Sequence, residues 1–129
     1  MDALTDAERS QLIAGLGRAR HGFGLAERFV AEESERSVSC GDEVTVRVGV
    51  DGAMSWTGHG CAVSMAAASA LGARTAEEVR AIGPRFIASV EPGATPIDGD
   101  LEPFAGIGRF PLRARCATLA WQAALAALG

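Results

Sequence analysis

The chain has 129 residues, of which 48% are hydrophobic and 22% are charged, and its formal net charge at pH 7 is −4. This composition is typical of one globular domain with a core of its own, and it excludes an intrinsically disordered chain. The negative net charge argues against nucleic acid and against an anionic membrane surface as partners.

The beginning of the sequence and its cysteine count predict a cytoplasmic protein. The residues after Met1 are acidic and polar, unlike a secretory signal, and no apolar run reaches the roughly 20 residues that span a bilayer. The chain has three cysteines, an odd number, and disulfides are rare in a reducing compartment. The cysteines are therefore more plausibly used for metal binding or thiol chemistry than for disulfides.

The first third of the chain predicts one helix and one edge strand. Thr5 and Glu8 have the spacing of a capping box, so a helix is expected from Thr5 to about Arg20. Residues 26–40 form a mixed segment, part of which is expected to be an edge strand. The acidic run at 32–36 is expected to face solvent.

A β-hairpin is the clearest local signal in the chain. Valines at positions 44, 46, 48 and 50 alternate with other residues, which is the period of a half-buried strand. Asp51-Gly52 then predicts a tight turn, followed by a second strand through Trp56.

Helices and one loop complete the prediction. A helix is expected from about Ala62 to Ala73, and another from Thr75 with a kink or restart at Gly83-Pro84. Residues 89–111, rich in proline and glycine, predict a loop, and residues 112–129 predict a final helix with an apolar face. The elements together predict an α+β fold in which a small antiparallel sheet of about three strands packs against helices.

Each cysteine falls at the end of a predicted element. Gly41 permits a sharp bend that turns the Cys40 thiol and the Asp42 carboxylate toward one centre, while Cys61 and Cys116 lie near helix starts, which favour thiolates. Three thiolates and one carboxylate form a chemically sensible tetrahedral zinc site. The intervals contain no CxxC pair, so on spacing alone three scattered cysteines remain the favoured interpretation.

The charged neighbours of the cysteines have more than one interpretation. Arg113 and Arg115 flank Cys116 and either offset the negative charge of the site, meet a partner, or are plain surface arginines. His59, two residues before Cys61, is within reach of a metal or substrate, although a solvent-facing turn histidine is the simpler interpretation. Ser64 lacks the GxSxG turn of a hydrolase nucleophile, and the chain has no phosphate-binding P-loop.

Three segments of the chain carry a family resemblance. "CGDEVTVRVGVDG" (40–52), "GHGCAVSMAAASAL" (58–71) and "GRFPLRARCATLAWQAAL" (108–125) resemble, in order, the cysteine segments of IscU/NifU-type iron–sulfur cluster assembly proteins. The resemblance covers about residues 39–128. Arg115 stands where cluster scaffolds carry a histidine, "GRFPLRAR" replaces their chaperone-docking motif, and the interval between the second and third cysteines is long. These features resemble the zinc-dependent SufU branch.

The resemblance implies a metal site and a sulfur-transfer role. By motif, Cys40, Asp42, Cys61 and Cys116 would hold Zn²⁺, and Cys40 would be the sulfur acceptor, freed when a partner side chain displaces one zinc ligand. The implied donor is a pyridoxal-phosphate-dependent cysteine desulfurase of the SufS type, whose persulfide sulfur then passes to downstream Suf assembly proteins. The implied protein is a sulfurtransferase-like acceptor rather than a stand-alone enzyme.

Two alternatives remain beside the zinc-dependent acceptor. The same four ligands suit a scaffold that itself assembles a labile Fe–S cluster, and a structural zinc-stabilised interaction domain needs no sulfur transfer at all. For each alternative, a single IscU/SufU-like domain is expected over residues 1–129. Its N-terminal helix and edge segment would occupy residues 1–38, and its metal-binding core residues 39–129.

Overall fold

Three antiparallel strands form the sheet of the computed structural model, which describes residues 4–38, 41–97 and 99–129. They are β1 (Phe29–Arg36), β2 (Glu43–Gly49) and β3 (Met54–His59), and they lie in the order β1-β2-β3. The valine-rich strand is therefore central, and β1 is an edge strand as the sequence predicts.

The register of β2 against β3 places three of the four alternating valines, those at 44, 46 and 48, on the buried face. The fourth, Val50, lies in the turn after the strand and is 60% exposed. Val46 lies opposite Trp56 and Val44 opposite Gly58, and the side chains of Val44, Val46 and Trp56 have no exposed surface. The second strand of the hairpin is longer than expected, since pairing continues beyond Trp56 to His59, opposite Glu43. This extension brings the end of β3 beside the beginning of β2.

The described residues form four helices, which together with the sheet confirm the predicted α+β class. Two 3₁₀ turns, at Glu102–Phe104 and Ile107–Arg109, order the proline- and glycine-rich segment between the third and fourth helices. Among the described residues, no helix is both long and apolar enough to cross a membrane. The helices are α1 (Asp6–Ala19), α2 (Ala62–Gly72), α3 (Ala76–Ser89) and α4 (Pro111–Leu128).

Capping boxes begin α1 and α3. The Thr5 hydroxyl accepts the Glu8 N–H at 3.1 Å, and the Glu8 carboxylate accepts the Thr5 N–H at 2.9 Å. Thr75 and Glu78 make the same reciprocal pair at the start of α3. Both helix starts are where the sequence predicts them, because each box satisfies N–H groups that have no partner within the helix.

The restart expected at Gly83-Pro84 is wrong. α3 is one continuous element from Ala76 to Ser89, and Pro84 lies on its exposed side. Proline removes one helix hydrogen bond and adds a ring clash, but the buried Val79 and Phe86 hold both halves of the helix on the core. Tertiary packing therefore outweighs the local penalty.

The small residues of α2 let it lie in the middle of the helical layer. Ala66, Ala67 and Ala70 are fully buried, and α2 packs against both α1 and α4. The indole N–H of Trp121 on α4 donates to the carbonyl oxygen of Ala67 at 3.0 Å. Trp56 and Trp121 are both fully buried core residues, and the Trp121 contact ties α2 to α4.

Candidate metal centre

Three potential metal ligands meet where β2, α2 and α4 come together. Asp42 directly precedes β2, Cys61 directly precedes α2, and Cys116 lies in the second turn of α4. The carboxylate oxygen and the two sulfur atoms lie within 4.8 Å of one another. Cys40, the fourth residue of the predicted set, lies outside the described residues.

Two backbone hydrogen bonds of Ser37 hold Gly41 and Asp42 in place before β2. The N–H of Ser37 donates to the Asp42 carbonyl oxygen, and the N–H of Gly41 donates to the Ser37 carbonyl oxygen, both at 2.8 Å. Gly41 has φ +73°, a backbone conformation that glycine adopts without steric cost. The bend expected from the "CGD" sequence is therefore present at Gly41, and it directs Asp42 inward.

The two glycines of "GHGC" are required by close packing on the other side of the site. A β-carbon at Gly60 would lie 2.6 Å from Cγ of Asp42, and one at Gly58 would overlap the carbonyl oxygen of Glu43. Glycine at these positions lets the chain that leads to Cys61 lie directly against Asp42.

The Asp42 carboxylate is buried and strongly hydrogen-bonded. Only 3% of the residue is exposed, and Oδ2 accepts the Ser64 hydroxyl at 2.5 Å and the Cys61 N–H at 3.3 Å. Burial by itself raises the pKa of Asp42, but hydrogen bonds from the Ser64 hydroxyl, the Cys116 thiol and the Cys61 N–H and thiol together lower the pKa below its ordinary value. The carboxylate is thus held in its charged, metal-binding form.

Among the described residues of the centre, the exposed ligand is Cys61. Cys61 is exposed, whereas Asp42 and Cys116 are each 3% exposed. Cys116 lies inside α4 rather than at the helix end that the sequence suggests. A metal ion or a partner group therefore reaches the site from the side of Cys61.

The two arginines near Cys116 contact side chains outside the group of metal ligands. Arg115 donates to Gln122 Oε1 at 2.7 Å and to Glu35 Oε2 at 3.2 Å, which ties α4 to the edge strand β1. The guanidinium carbon of Arg113 lies 5.7 Å from the centroid of the Phe110 ring. His59 is exposed at the end of β3.

Ser64 is the residue of the site that sequence reasoning missed. It is 1% exposed, and its hydroxyl oxygen lies 2.5 Å from Asp42 Oδ2, 3.3 Å from the Cys116 carbonyl oxygen and 3.7 Å from Cys61 Sγ. Its position three residues after Cys61 places both side chains on one face of the first turn of α2. This three-residue spacing was the signal in the sequence that could have placed Ser64 beside Cys61.

The donor set fits zinc. Two thiolate sulfurs bound to a tetrahedral zinc at about 2.3 Å are separated by about 3.8 Å, a spacing that donors already within 4.8 Å of one another can reach by small side-chain adjustments. Two thiols and a carboxylate are also the ligand types that zinc accepts. Asp42, Cys61 and Cys116 can therefore hold a zinc ion.

Two curated proteins are similar to the chain, while no protein-family model matches it. The iron–sulfur cluster assembly scaffold protein IscU of Streptococcus pyogenes serotype M1 is 32% identical over 96 residues, covering 66% of this chain and 60% of that protein. The zinc-dependent sulfurtransferase SufU of Bacillus subtilis strain 168 is 31% identical over 97 residues, covering 66% of this chain and 65% of that protein. The aligned part thus spans less than two thirds of either relative.

Solved structures of a SufU protein and of a NifU-like protein share the fold of this chain. FiSufU, a SUF-system protein of the thermophile Fervidobacterium islandicum AW-1, is 25% identical with a TM-score of 0.79, covering 92% of this chain and 95% of that chain. The N-terminal part of a NifU-like protein of Brucella abortus is 20% identical with a TM-score of 0.79, covering 96% and 95% of the two chains. Together with the curated relatives, FiSufU confirms the resemblance of the three cysteine segments to IscU- and SufU-type iron–sulfur cluster assembly proteins, and the NifU-like structure shares the fold.

Proposed function

We propose that this chain is a zinc-dependent acceptor of persulfide sulfur that works with a pyridoxal-phosphate-dependent cysteine desulfurase in iron–sulfur cluster assembly. The observation that carries the proposal is the convergence of Asp42, Cys61 and Cys116 within 4.8 Å. The zinc-dependent sulfurtransferase among its relatives supports zinc as the metal and sulfur as the cargo.

The four predicted ligands have different tasks in this proposal. Asp42 and Cys116 are buried and anchor the ion, while Cys61 lies at the exposed side of the centre. Cys40, two residues before Asp42 in the sequence, completes the set. When bound, zinc keeps its cysteine ligands deprotonated, which is the form that reacts with persulfides.

Cys40 is the proposed acceptor, as the family resemblance implies. Its thiolate attacks the outer sulfur of the desulfurase persulfide, so that a new sulfur–sulfur bond forms on Cys40 while the bond in the donor breaks. The desulfurase cysteine leaves as a thiolate, the proton of the persulfide travels with the transferred sulfur, and no net oxidation occurs. Downstream Suf assembly proteins would then take the sulfur. A cytoplasmic setting belongs to the proposal, since this exchange needs unpaired thiols.

A cluster scaffold is the second candidate, and the scaffold protein IscU among the relatives favours it. The same thiols can ligate iron, and the carboxylate of Asp42 would be the ligand that iron exchanges most easily. The two candidates differ in the metal that the purified protein carries. They also differ in whether one sulfur atom or a whole cluster is transferred.

A desulfurase assay tests the proposal. A purified SufS-type desulfurase is supplied with cysteine, with and without this protein, and alanine formation and intact protein masses are followed. We expect the wild-type chain to raise desulfurase turnover and to gain the mass of sulfur, and Cys40→Ala to do neither. Full stimulation by Cys40→Ala would remove Cys40 as acceptor.

A matched serine variant controls for damage to the fold in that assay. Ser69 is buried on α2, like Ser64, but its hydroxyl oxygen accepts the backbone N–H of His21, in the segment after α1, at 3.0 Å. Ser69→Ala should therefore stimulate the desulfurase as the wild type does. If wild type and Ser69→Ala both leave turnover unchanged, the sulfur-acceptor proposal is contradicted.

A further inference from the structure

We propose that Ser64 is a positioning residue of the metal centre, whose hydroxyl fixes the orientation of the Asp42 carboxylate relative to the two cysteines. The inference deepens the proposed function and rests on its metal-binding part. Ser64 is not offered as a metal ligand or a nucleophile, because the carboxylate and the two sulfur atoms already converge without it.

The position of Ser64 is central to the site. Its hydroxyl oxygen lies 2.5 Å from Asp42 Oδ2, 3.7 Å from Cys61 Sγ and 3.3 Å from the carbonyl oxygen of Cys116. One side chain therefore contacts each of the three described residues that can bind a metal, Cys116 through its backbone carbonyl. Each of these residues comes from a different part of the chain, so Ser64 connects the beginnings of β2 and α2 to α4.

The contact with Asp42 is the dominant one. A serine hydroxyl has a single proton, and the separation of 2.5 Å identifies Asp42 Oδ2 as its acceptor, since hydroxyl–carboxylate hydrogen bonds are the shortest and strongest that serine makes. The Cys61 N–H donates to the same oxygen at 3.3 Å. Two donors from the start of α2 thus hold one oxygen of the carboxylate, which prevents the group from rotating freely.

The surroundings of Ser64 favour its hydrogen bond with the Asp42 carboxylate. Residues 62–65, the first turn of α2, include no acid of their own, so the negative charge favoured at a helix N-terminus is provided by Asp42. Ser64 is 1% exposed, which leaves no room for bulk water to replace its hydroxyl. Removing the hydroxyl would leave Asp42 with a weaker hold and more than one orientation.

The test measures metal binding and metal-site geometry in Ser64→Ala, with Ser69→Ala as the matched control. Zinc affinity is measured by chelator competition, and the visible spectrum of the Co²⁺-loaded protein reports the ligand geometry independently of any activity. We expect Ser64→Ala to weaken zinc binding by about 10- to 100-fold, the usual effect of losing a hydrogen bond to a metal ligand. We also expect it to shift the Co²⁺ bands, and Ser69→Ala to change neither.

A second variant separates positioning from folding. Ser64→Thr retains a hydroxyl at the same place, so it should recover most of the zinc affinity and the wild-type Co²⁺ spectrum, whatever its effect on thermal stability. If wild type binds zinc but Ser64→Ala matches it in affinity and spectrum, the inference is overturned while the proposed function stands. If Ser64→Ala and Ser69→Ala lose metal equally, the role of Ser64 is only structural. If wild type binds neither Zn²⁺ nor Co²⁺, the proposed function is contradicted, and this inference with it.

Discussion

Gly60 packs directly against the carboxyl group of Asp42, and a β-carbon at position 60 would lie 2.6 Å from Asp42 Cγ. The neighbouring atoms are those of a buried side chain held by hydrogen bonds, so they have little freedom to move away. Gly60→Ala should therefore displace the carboxylate. We expect zinc affinity, measured by chelator competition, to fall by about 10- to 100-fold.

A glycine without close neighbours provides the control for that substitution. Gly17 lies in α1 with nothing within 4 Å of the position of a β-carbon. Gly17→Ala should leave zinc affinity unchanged and stabilise the protein by up to about 1 kcal/mol, because alanine is the better helix former. Unchanged zinc affinity in Gly60→Ala would contradict the packing argument.

Asp42 should have separable roles in metal binding and in folding. Asp42→Asn keeps an oxygen that can accept from Ser64 and Cys61 but removes the charge, whereas Asp42→Ala removes both. We expect both variants to lose zinc to a chelator faster than wild type. In the metal-free state, only Asp42→Ala should lower the free energy of unfolding, by about 1–3 kcal/mol, because it leaves buried donors without a partner.

Denaturant unfolding of the metal-free variants measures this difference. Equal unfolding free energies for Asp42→Ala and Asp42→Asn would show that the hydrogen bonds of the carboxylate do not stabilise the fold. An Asp42→Ala chain that is unfolded even without denaturant would make Asp42 a structural residue rather than an exchangeable ligand.

The two described cysteines should differ in their accessibility to alkylating agents. Cys61 is exposed, while Cys116 is 3% exposed and packed in α4. In the metal-free protein, iodoacetamide should therefore modify Cys61 well before Cys116, and zinc should slow the modification of Cys61. Peptide mass spectrometry at successive times measures both rates. Faster modification of Cys116 would contradict this difference in exposure.

Arg115 should act mainly as a connection between α4 and β1. Its guanidinium group binds Glu35 and Gln122, and the Arg115 and Glu35 side chains are 39% and 33% exposed. A double-mutant cycle with Arg115→Ala and Glu35→Gln should give a coupling energy of at most about 1 kcal/mol, as for other half-exposed ion pairs. Zinc affinity should be unchanged in both variants. A large loss of zinc in Arg115→Ala alone would support the charge-balancing role instead.

Local signals predicted most of the fold because the structure uses them directly. Three of the four alternating valines lie in the central strand, and Thr5 and Thr75 begin helices through capping boxes. The restart expected at Pro84 does not occur, since a local breaking signal says nothing about the burial of Val79 and Phe86 on either side of it. Packing of α3 against distant segments keeps the helix continuous through Pro84.

The candidate site was predictable in part. The cysteine segments and Asp42 stood out through family resemblance, but spacing alone could not bring three distant segments together. Ser64 was considered only as a nucleophile, because its partner Asp42 is 22 positions away in the sequence. The requirement for glycine at position 60 likewise arises from a contact across the fold, which no local pattern contains.

Metal content together with an absorbance spectrum, measured on untagged protein purified without oxygen, decides whether the centre holds zinc or iron. We expect about one zinc per chain and no visible absorption band, as a single four-ligand site requires. Iron with a visible chromophore would contradict the zinc-dependent acceptor and favour the cluster scaffold. A protein that carries no metal and takes up none from solution would contradict both.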